Sequence, residues 1–470
     1  MSHTTAPRPA TTAPPAPEPP AAPAGRTALL AGVLLSLFLA AADSTVVGSL
    51  LPTIAGQLGR QDLYSWLISA FLLASVLVTP VAGAAADRWG GRRAMLAALT
   101  VFAAASAGVA AAHTMPLLII ARAAQGIGAG AVAALTYVLI GQAFDASERG
   151  RMQGMLSSVW GLAAVAGPAL GTAAQATVGW RWIFLLNLPL AAVAAVLVRK
   201  VPAAPATAPR VISPGALLSF AAGLGGLLLL IQAPALHVRA PYVVALALVT
   251  FLGLAAHIVL VRRRPAAALV PSAFATQGDQ RVSGLLAVGA AAVLYASVTL
   301  LPLALTAGGA AGATESGLFV ITGALGWVVG SAVCGGLLQR LGPRATAAIG
   351  GLLLAAGPAL LAAGAAHSLP LAVAGESLAG LGTGFVATTS LVHTQNTAPA
   401  QWLGAYTAAV TLCRNIGAAV GVNLLASIQL SAAGHGSHGA STGSYTTAFA
   451  ALAVIGLLTL AGAMRLPRRH

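Results

Sequence analysis

Charge is what this chain has least of. Only 7% of its 470 residues are charged, nine are acidic, and of the 24 basic residues only Lys200 is a lysine. With 58% hydrophobic residues and a mean hydropathy of +0.88, a water-soluble globule of this length is excluded. Cysteine is nearly absent too. Cys334 and Cys413 both fall in apolar runs, which leaves neither a disulfide framework nor a CxxC metal site and reads them as small packing residues. Aromatic residues make up 5%, too few for an obvious large stacking cage. No G-x-x-x-x-G-K-[ST] sequence is present, which argues against ATP hydrolysis. No His, Asp or Cys cluster gathers at one end of the apolar runs as a membrane enzyme would need, and no soluble output domain of a sensor is visible. The net charge of +15 sits in short loops and not in one basic domain, so nucleic acid is not an expected partner.

What is abundant is apolar sequence in long runs. A membrane-spanning helix needs roughly 20 apolar residues, and the runs predict fourteen. Six begin near Thr27, Tyr64, Arg93, Met115, Arg149 and Trp180, two near Pro214 and Ala240, and six near Arg281, Thr314, Arg344, Leu369, Trp402 and Tyr445. With the amino terminus cytoplasmic, Arg60, Arg181 and Arg239 fall outside, Arg122 and Arg414 fall within spans, and every other basic residue lies on the inner side. That bias predicts a multi-pass protein of the cytoplasmic membrane with both termini inside. The Ala- and Arg-rich, Lys-poor composition is that expected of a GC-rich bacterium. The first 25 residues, rich in Pro, Ala and Thr, lack the charged start and apolar run of a secretory signal and read as a disordered cytoplasmic tail.

The chain repeats itself. Residues 113–130, HTMPLLIIARAAQGIGAG, reappear as residues 367–384, HSLPLAVAGESLAGLGTG, with Pro, a charged residue and three glycines at the same spacings. Residues 83–92, GAAADRWGGR, likewise parallel residues 335–344, GGLLQRLGPR. These shifts of 254 and 252 residues mark an internal duplication. Parallel repeats about an axis normal to the membrane are one plan for secondary transporters. The expected division is therefore a tail (1–26), a six-helix bundle (27–200), a linker with two inserted helices (201–280) and a second six-helix bundle with a short tail (281–470).

Four charges fall inside spans. An arginine at a helix centre costs about 2.5 to 3.5 kcal/mol on insertion scales, so Arg122 needs a partner or must snorkel to the interface. It lies six residues, roughly 9 Å, below Pro116, and Asp43 lies about 12 Å from the outer end of its own helix. The similar depth predicts an Asp43–Arg122 grouping. Low dielectric and a nearby arginine act on a carboxylate's proton affinity in opposite senses, which suits a proton switch, although a structural ion pair is the plainer alternative. The same arithmetic predicts a second grouping of Glu376 with Arg414, with exposure of Glu376 to extracellular water as its alternative.

Several motifs carry a family resemblance. Gly83, Asp87, Arg88, Gly90, Arg92 and Arg93 resemble the G-x-L-a-D-r-x-G-r-k loop of the major facilitator superfamily, with Ala85 and Gly91 departing from it. Leu118, Arg122, Gln125 and Gly126 resemble its fourth-span pattern l-x-x-x-R-x-x-q-G. Residues 41–52, AADSTVVGSLLP, are similar to the l-D-x-T-v-v-n-v-A-L-P motif of drug:proton antiporters, with Gly48 and Ser49 departing. Gly161, Gly167, Pro168 and Gly171 resemble the antiporter pattern g-x-x-x-G-P-x-x-G-G, with Thr172 in the last place, although glycines at helical spacing equally suit plain helix packing. Residues 180–189, WRWIFLLNLP, carry the most specific match. Trp180, Arg181, Trp182, Phe184, Asn187 and Pro189 resemble the W-R-W-i-F-l-i-N-v-P signature of the 14-span EmrB/QacA-type antiporters.

The resemblance implies an all-α polytopic membrane protein of the major facilitator fold, with two six-helix bundles and two inserted helices. It implies proton-coupled efflux of drugs, antibiotics or other toxic small molecules by alternating access, without an enzymatic step. Asp43, Arg122, Glu376 and Arg414 would couple the proton, Asp87 and its arginines would latch the cytoplasmic side, and the bend at Pro168 would seal the outside. The expected partners are a small-molecule substrate, protons and the bilayer, with the chain acting as a monomer. The energy source would be the proton gradient, with no cofactor or metal, the HGSHG loop near residue 437 being read as flexible. A proton-coupled importer or a metabolite exporter of the same fold remains open, with a membrane enzyme or sensor more remote.

Overall fold

The computed structural model describes residues 24–60, 63, 66–200, 213–233, 239–265, 268–310, 313–364, 367–433 and 442–468. Residues 1–23 of the amino-terminal tail, most of the linker after Lys200 and the HGSHG loop lie outside these residues. Among them every regular element is a helix, as the apolar runs predict. In the first half these are α1 (Ala24–Leu58), α2 (Trp66–Trp89), α3 (Gly91–Ala111), α4 (Met115–Ala143), α5 (Ala146–Thr177) and α6 (Arg181–Arg199). The inserted part holds α7 (Pro214–Phe220), a π-helical turn (Ala221–Gly225), α8 (Gly226–Gln232) and α9 (Ala240–Arg263). The second half holds α10 (Ser272–Thr276), α11 (Gly278–Ala307), α12 (Ala313–Gly364), α13 (Leu369–Thr397), α14 (Leu403–Ala433) and α15 (Thr442–Ala463).

Thirteen helices among the described residues are long and apolar enough to cross a membrane. One of them, Ile321–Gly364, is 44 residues long. At 1.5 Å per residue that is about 66 Å, twice the roughly 30 Å of a hydrocarbon core. Gly342 interrupts it with φ 78° and ψ 171°, a left-handed backbone that glycine adopts without a Cβ penalty. Gly90, at φ 84°, makes the same turn between α2 and α3, so the duplicated loops share their backbone as well as their sequence.

The helix ends are written locally. Thr114 caps α4 by accepting from the Leu117 amide, with Pro116 in the first turn, and Asp145 and Glu148 form a reciprocal capping box on α5. The repeated glycines set how closely helices cross. A Cβ on Gly126 would stand 2.9 Å from the Phe71 Cα, and one on Gly380 would stand 3.0 Å from the Gly323 Cα. Thus α4 rests on α2 as α13 rests on α12, through glycines at matching repeat positions.

The two halves meet near one end of the molecule. That end gathers Arg26, Arg92, Arg149, Arg199 and Arg344, several bonded to one another's helices: Arg26 to Glu148 at 2.9 Å, Arg92 to the Arg199 carbonyl at 3.5 Å, Arg344 to the Leu466 carbonyl at 2.6 Å. We call it the basic end. The inserted helices lean on α2 and α14 through Leu224 and Leu228, packed with Leu77 and Leu412.

Candidate transport site and interbundle seal

α1 and α4 carry Asp43 and Arg122 to one buried point. Arg122 Nη1 donates to Asp43 Oδ2 at 2.7 Å and to Gln125 Oε1 at 2.6 Å, and neither Asp43 nor Arg122 exceeds 3% exposure. Snorkelling is thereby excluded for Arg122. The network is wider than the sequence reading foresaw. Gln125 donates to Asp43 Oδ1 at 2.9 Å and to Ser106 at 2.8 Å, and Asn187 from α6 donates to the same carboxylate oxygen at 3.1 Å. The guanidinium lies 4.2 Å over the Phe71 ring and 6.0 Å from that of Phe184. Asn187 and Phe184 belong to the WRWIFLLNLP string, so part of that signature serves the buried pair. A lone amide in an apolar run was the signal for Asn187; Ser106 and Phe71 had none.

The second bundle repeats this geometry with different chemistry. Ser297 donates to Glu376 Oε1 at 3.1 Å across 79 residues, the separation that also divides Asp43 from Arg122. Asp43 and Ser297 differ by 254 residues, as do Arg122 and Glu376, so the two contacts are repeat equivalents. Glu376 is fully buried, with Oε2 unpaired among the described residues. It does not reach outside water.

The expected Glu376–Arg414 grouping does not form. Arg414 Nη1 bonds the Tyr137 hydroxyl at 3.3 Å instead, with its guanidinium 5.2 Å from that ring. The reason is depth. Arg414 lies about 17 Å along α14 from the basic end, whereas Glu376 lies about 30 Å from that end on α13. Tyr137 also accepts from Trp160 Nε1 at 3.2 Å, and Trp160 sits 6.4 Å from Trp327 across the bundle interface.

At the basic end Asp87 crosses between the bundles. Its carboxylate accepts from the backbone amides of Gly404 at 2.8 Å and Ala405 at 2.9 Å, at the first turn of α14. Unpaired amides and the helix dipole make that terminus a natural seat for a carboxylate. Gly83 permits the approach, since its Cβ would stand 2.5 Å from Ala408. In the repeat-related contact Gly150 faces Gly335, and Gln339 donates to the Ser147 carbonyl. The arginines behave differently from Asp87: Arg92 bonds within its own bundle, while Arg88 and Arg93 are exposed. Arg149 adds a second bridge, to Asn396 at 2.6 Å and the Gln395 carbonyl at 3.1 Å.

The remaining motif residues pack. A Cβ on Gly161 would stand 2.7 Å from Val328, and one on Gly167 would stand 3.0 Å from the Cβ of Thr45, whose hydroxyl bonds the Ala163 carbonyl at 3.0 Å. The Asp43 and Pro168 motifs are thus in contact. Pro168 and Gly171 lie inside α5, and the Pro168 side chain is outside the described residues. Trp180 is buried and donates to Gln57 at 2.9 Å, Arg181 bonds the Ala112 carbonyl at 3.1 Å, Trp182 is exposed, and Pro189 lies inside α6. No group of three or more His, Cys, Asp or Glu able to hold a metal gathers among the described residues.

Duplicated bundles, buried charges between helices and a seal at one end are the plan of a membrane transporter. The sequence profile of the Major Facilitator Superfamily matches residues 33–422, so the chain belongs to that family. It is a membrane transporter and not an enzyme. The chain is 27% identical to the multidrug transporter protein MdtP of Bacillus subtilis, over 87% of this chain and 76% of that one. It is 30% identical to the MFS-type transporter Rv1877 of Mycobacterium tuberculosis, over 90% of this chain but only 62% of the relative. The human transporter MFSD10 shares the fold, with a TM-score of 0.68, 17% identity and coverage of 94% of this chain and all (100%) of that one.

Proposed function

We propose that the chain exports small toxic molecules across the cytoplasmic membrane in exchange for protons, with its basic end facing the cytoplasm. The observation that carries the reading is the Asp43–Arg122 pair, closed by Gln125 and Asn187 in the first bundle. A proton arriving at Asp43 would release Arg122 and Gln125 from their shared acceptor, loosening α1 from α4. Glu376 is the candidate second proton carrier, because an isolated buried carboxylate is expensive to keep charged. The names of MdtP and similar relatives support a multidrug substrate range. The seal at the basic end, through Asp87 and the Gly150–Gly335 contact, corresponds to a state closed toward the cytoplasm.

The span count belongs to the same proposal. Reading Ile321–Gly364 as two spans broken at Gly342 turns the thirteen candidates into fourteen and supports the EmrB/QacA-type branch. Each proton entering gains about 2.3 kcal/mol per 100 mV of potential, so no ATP is required. The test is proton release from everted vesicles on adding dyes and antibiotics. A gradient collapse with wild type, lost in Asp43→Asn at equal expression, is expected. Collapse that persists in Asp43→Asn would remove Asp43 from coupling, and substrate uptake into intact cells would reverse the direction.

A further inference from the structure

The surroundings of Arg414 hold more hydrogen-bond donors than acceptors, and no charged acceptor among the described lining residues. Tyr137 Oη already accepts from Trp160 Nε1 at 3.2 Å and from Arg414 Nη1 at 3.3 Å. Both partners are donors only, so the hydroxyl hydrogen of Tyr137 has no acceptor among the described residues. Trp327 Nε1 is buried with no acceptor either. Among the described residues Tyr137 is the one hydrogen-bond partner of Arg414, although a guanidinium carries five N–H donors. Arg414, Trp327 and Tyr295 line a small cavity of about 10 Å³, room for a water, together with Thr383 and several alanines. Thr383 spends its hydroxyl on the carbonyls of Ala290 and Ala379. No carboxylate lines the space, because Asp43 is held by Arg122 and Glu376 lies deeper, with Ser297.

The position is as telling as the chemistry. Arg414 and Trp160 differ by 254 residues, so the repeat puts them at equivalent places on α14 and α5, facing Tyr137 from both bundles. A donor-rich space that opens when the bundles part is where a cargo would be held. We propose that the transporter carries organic anions, with a carboxylate seated on Arg414, the Tyr137 hydroxyl and the Trp327 indole N–H, and an apolar ring against Trp160 and Tyr295. This rests on reading the bundle interface as the transport path. In this closed conformation the cavity is too small for any ring, so the cargo enters only as the bundles part.

The test uses the full-length protein in nanodiscs and three probes with one ring system: 2-naphthoate, 2-naphthamide and 2-naphthylmethylammonium, titrated calorimetrically. Naphthoate is expected to bind at least about tenfold tighter than the amide, with the ammonium weakest, since a charged hydrogen bond is worth about 1.5–3 kcal/mol and 1.4 kcal/mol is tenfold. Arg414→Gln should weaken naphthoate about 10- to 100-fold and leave the amide nearly unchanged. Arg414→Lys should recover part of the loss. Trp327→Phe keeps the ring but removes the donor, and should cost naphthoate several-fold even where Arg414→Gln does not fold. Amide or ammonium binding as tight as naphthoate, no measurable naphthoate binding, or equal loss of all three in Arg414→Gln overturns the proposal. Proton release triggered by ethidium without naphthoate binding would overturn it while leaving the exporter reading intact. Naphthoate binding without proton release by either compound would uphold the anion site and remove the exporter reading.

Discussion

Asp87→Asn separates the latch from the fold more cleanly than any other single change. The amide keeps the shape of the carboxylate but offers one acceptor oxygen to the two backbone amides, of Gly404 and Ala405, that the carboxylate now serves at 2.8 and 2.9 Å. Losing one charge-assisted bond removes about 1.5–3 kcal/mol. Losing the negative charge at the start of α14 removes about 0.3–1 kcal/mol more. A central loss of about 2.9 kcal/mol shifts the balance between closed and open basic ends roughly 120-fold toward open. The assay is the distance between spin labels at Trp89→Cys and Gln401→Cys, with Cys334 and Cys413 replaced by serine. Both label sites are exposed; Trp89 ends α2, and Gln401 lies in the 3₁₀ turn (Ala400–Trp402) just before α14. Wild type should give one short distance, and Asp87→Asn should add a longer population. Gln339→Ala, at the equivalent place in the second half, loses only a neutral bond to Ser147, worth about 0.5–1.5 kcal/mol, and should shift the balance by about tenfold at most. An unchanged distance in Asp87→Asn, or equal opening in Gln339→Ala, would refute the argument.

Gly150→Val should wedge the basic end open as well, because a Cβ there would stand 2.7 Å from the Gly335 carbonyl oxygen; faster tryptic cleavage at Arg151 would report it. Asp43→Asn should lower the thermal midpoint, since removing one partner of a buried pair costs about 3–5 kcal/mol, and the double variant Asp43→Asn/Arg122→Gln should recover most of the stability. A double variant no more stable than the single one would mean that Arg122 is satisfied without Asp43.

How much of this could be read beforehand depended on the kind of signal. Asp43 and Arg122 were legible because each lies a countable distance from a marked helix end, and their helices run side by side. The same arithmetic failed for Glu376 and Arg414, because α14 runs 31 residues, so the twelve residues from Trp402 to Arg414 stop short of the outer half where Glu376 lies. Applying the 254-residue shift to Asp43 would have named Ser297 as the partner of Glu376. The seal was half legible. Gly83, Asp87 and Gly90 stood out as a charged turn, but the carboxylate bonds backbone amides of α14, which no side-chain pattern announces. Nothing in sequence spacing ties Ser106 on α3 or Phe71 on α2 to the pair on α1 and α4.

The duplication kept the contact geometry and exchanged the groups within it, and this makes a direct test of whether frame or chemistry holds the second bundle together. Ser297→Asp with Glu376→Arg would write the first bundle's ion pair into the second. The two sites already share their chain separation and their helix crossing. Gly323 stands where the first bundle places Phe71, but the Glu376 side chain already packs against it, so the larger guanidinium must shift to fit and lacks the ring that stacks on Arg122. The double variant should therefore elute as one folded species by size exclusion, somewhat less stable than wild type. Glu376→Arg alone buries a cation opposite a neutral serine, with no counter-charge, and should fail to fold or lose about 3–5 kcal/mol. If the single variant is as stable as the double, the space around residue 376 is wet enough to solvate a charge. Glu376 would then lose its standing as a buried proton carrier, leaving Asp43 as the candidate for coupling.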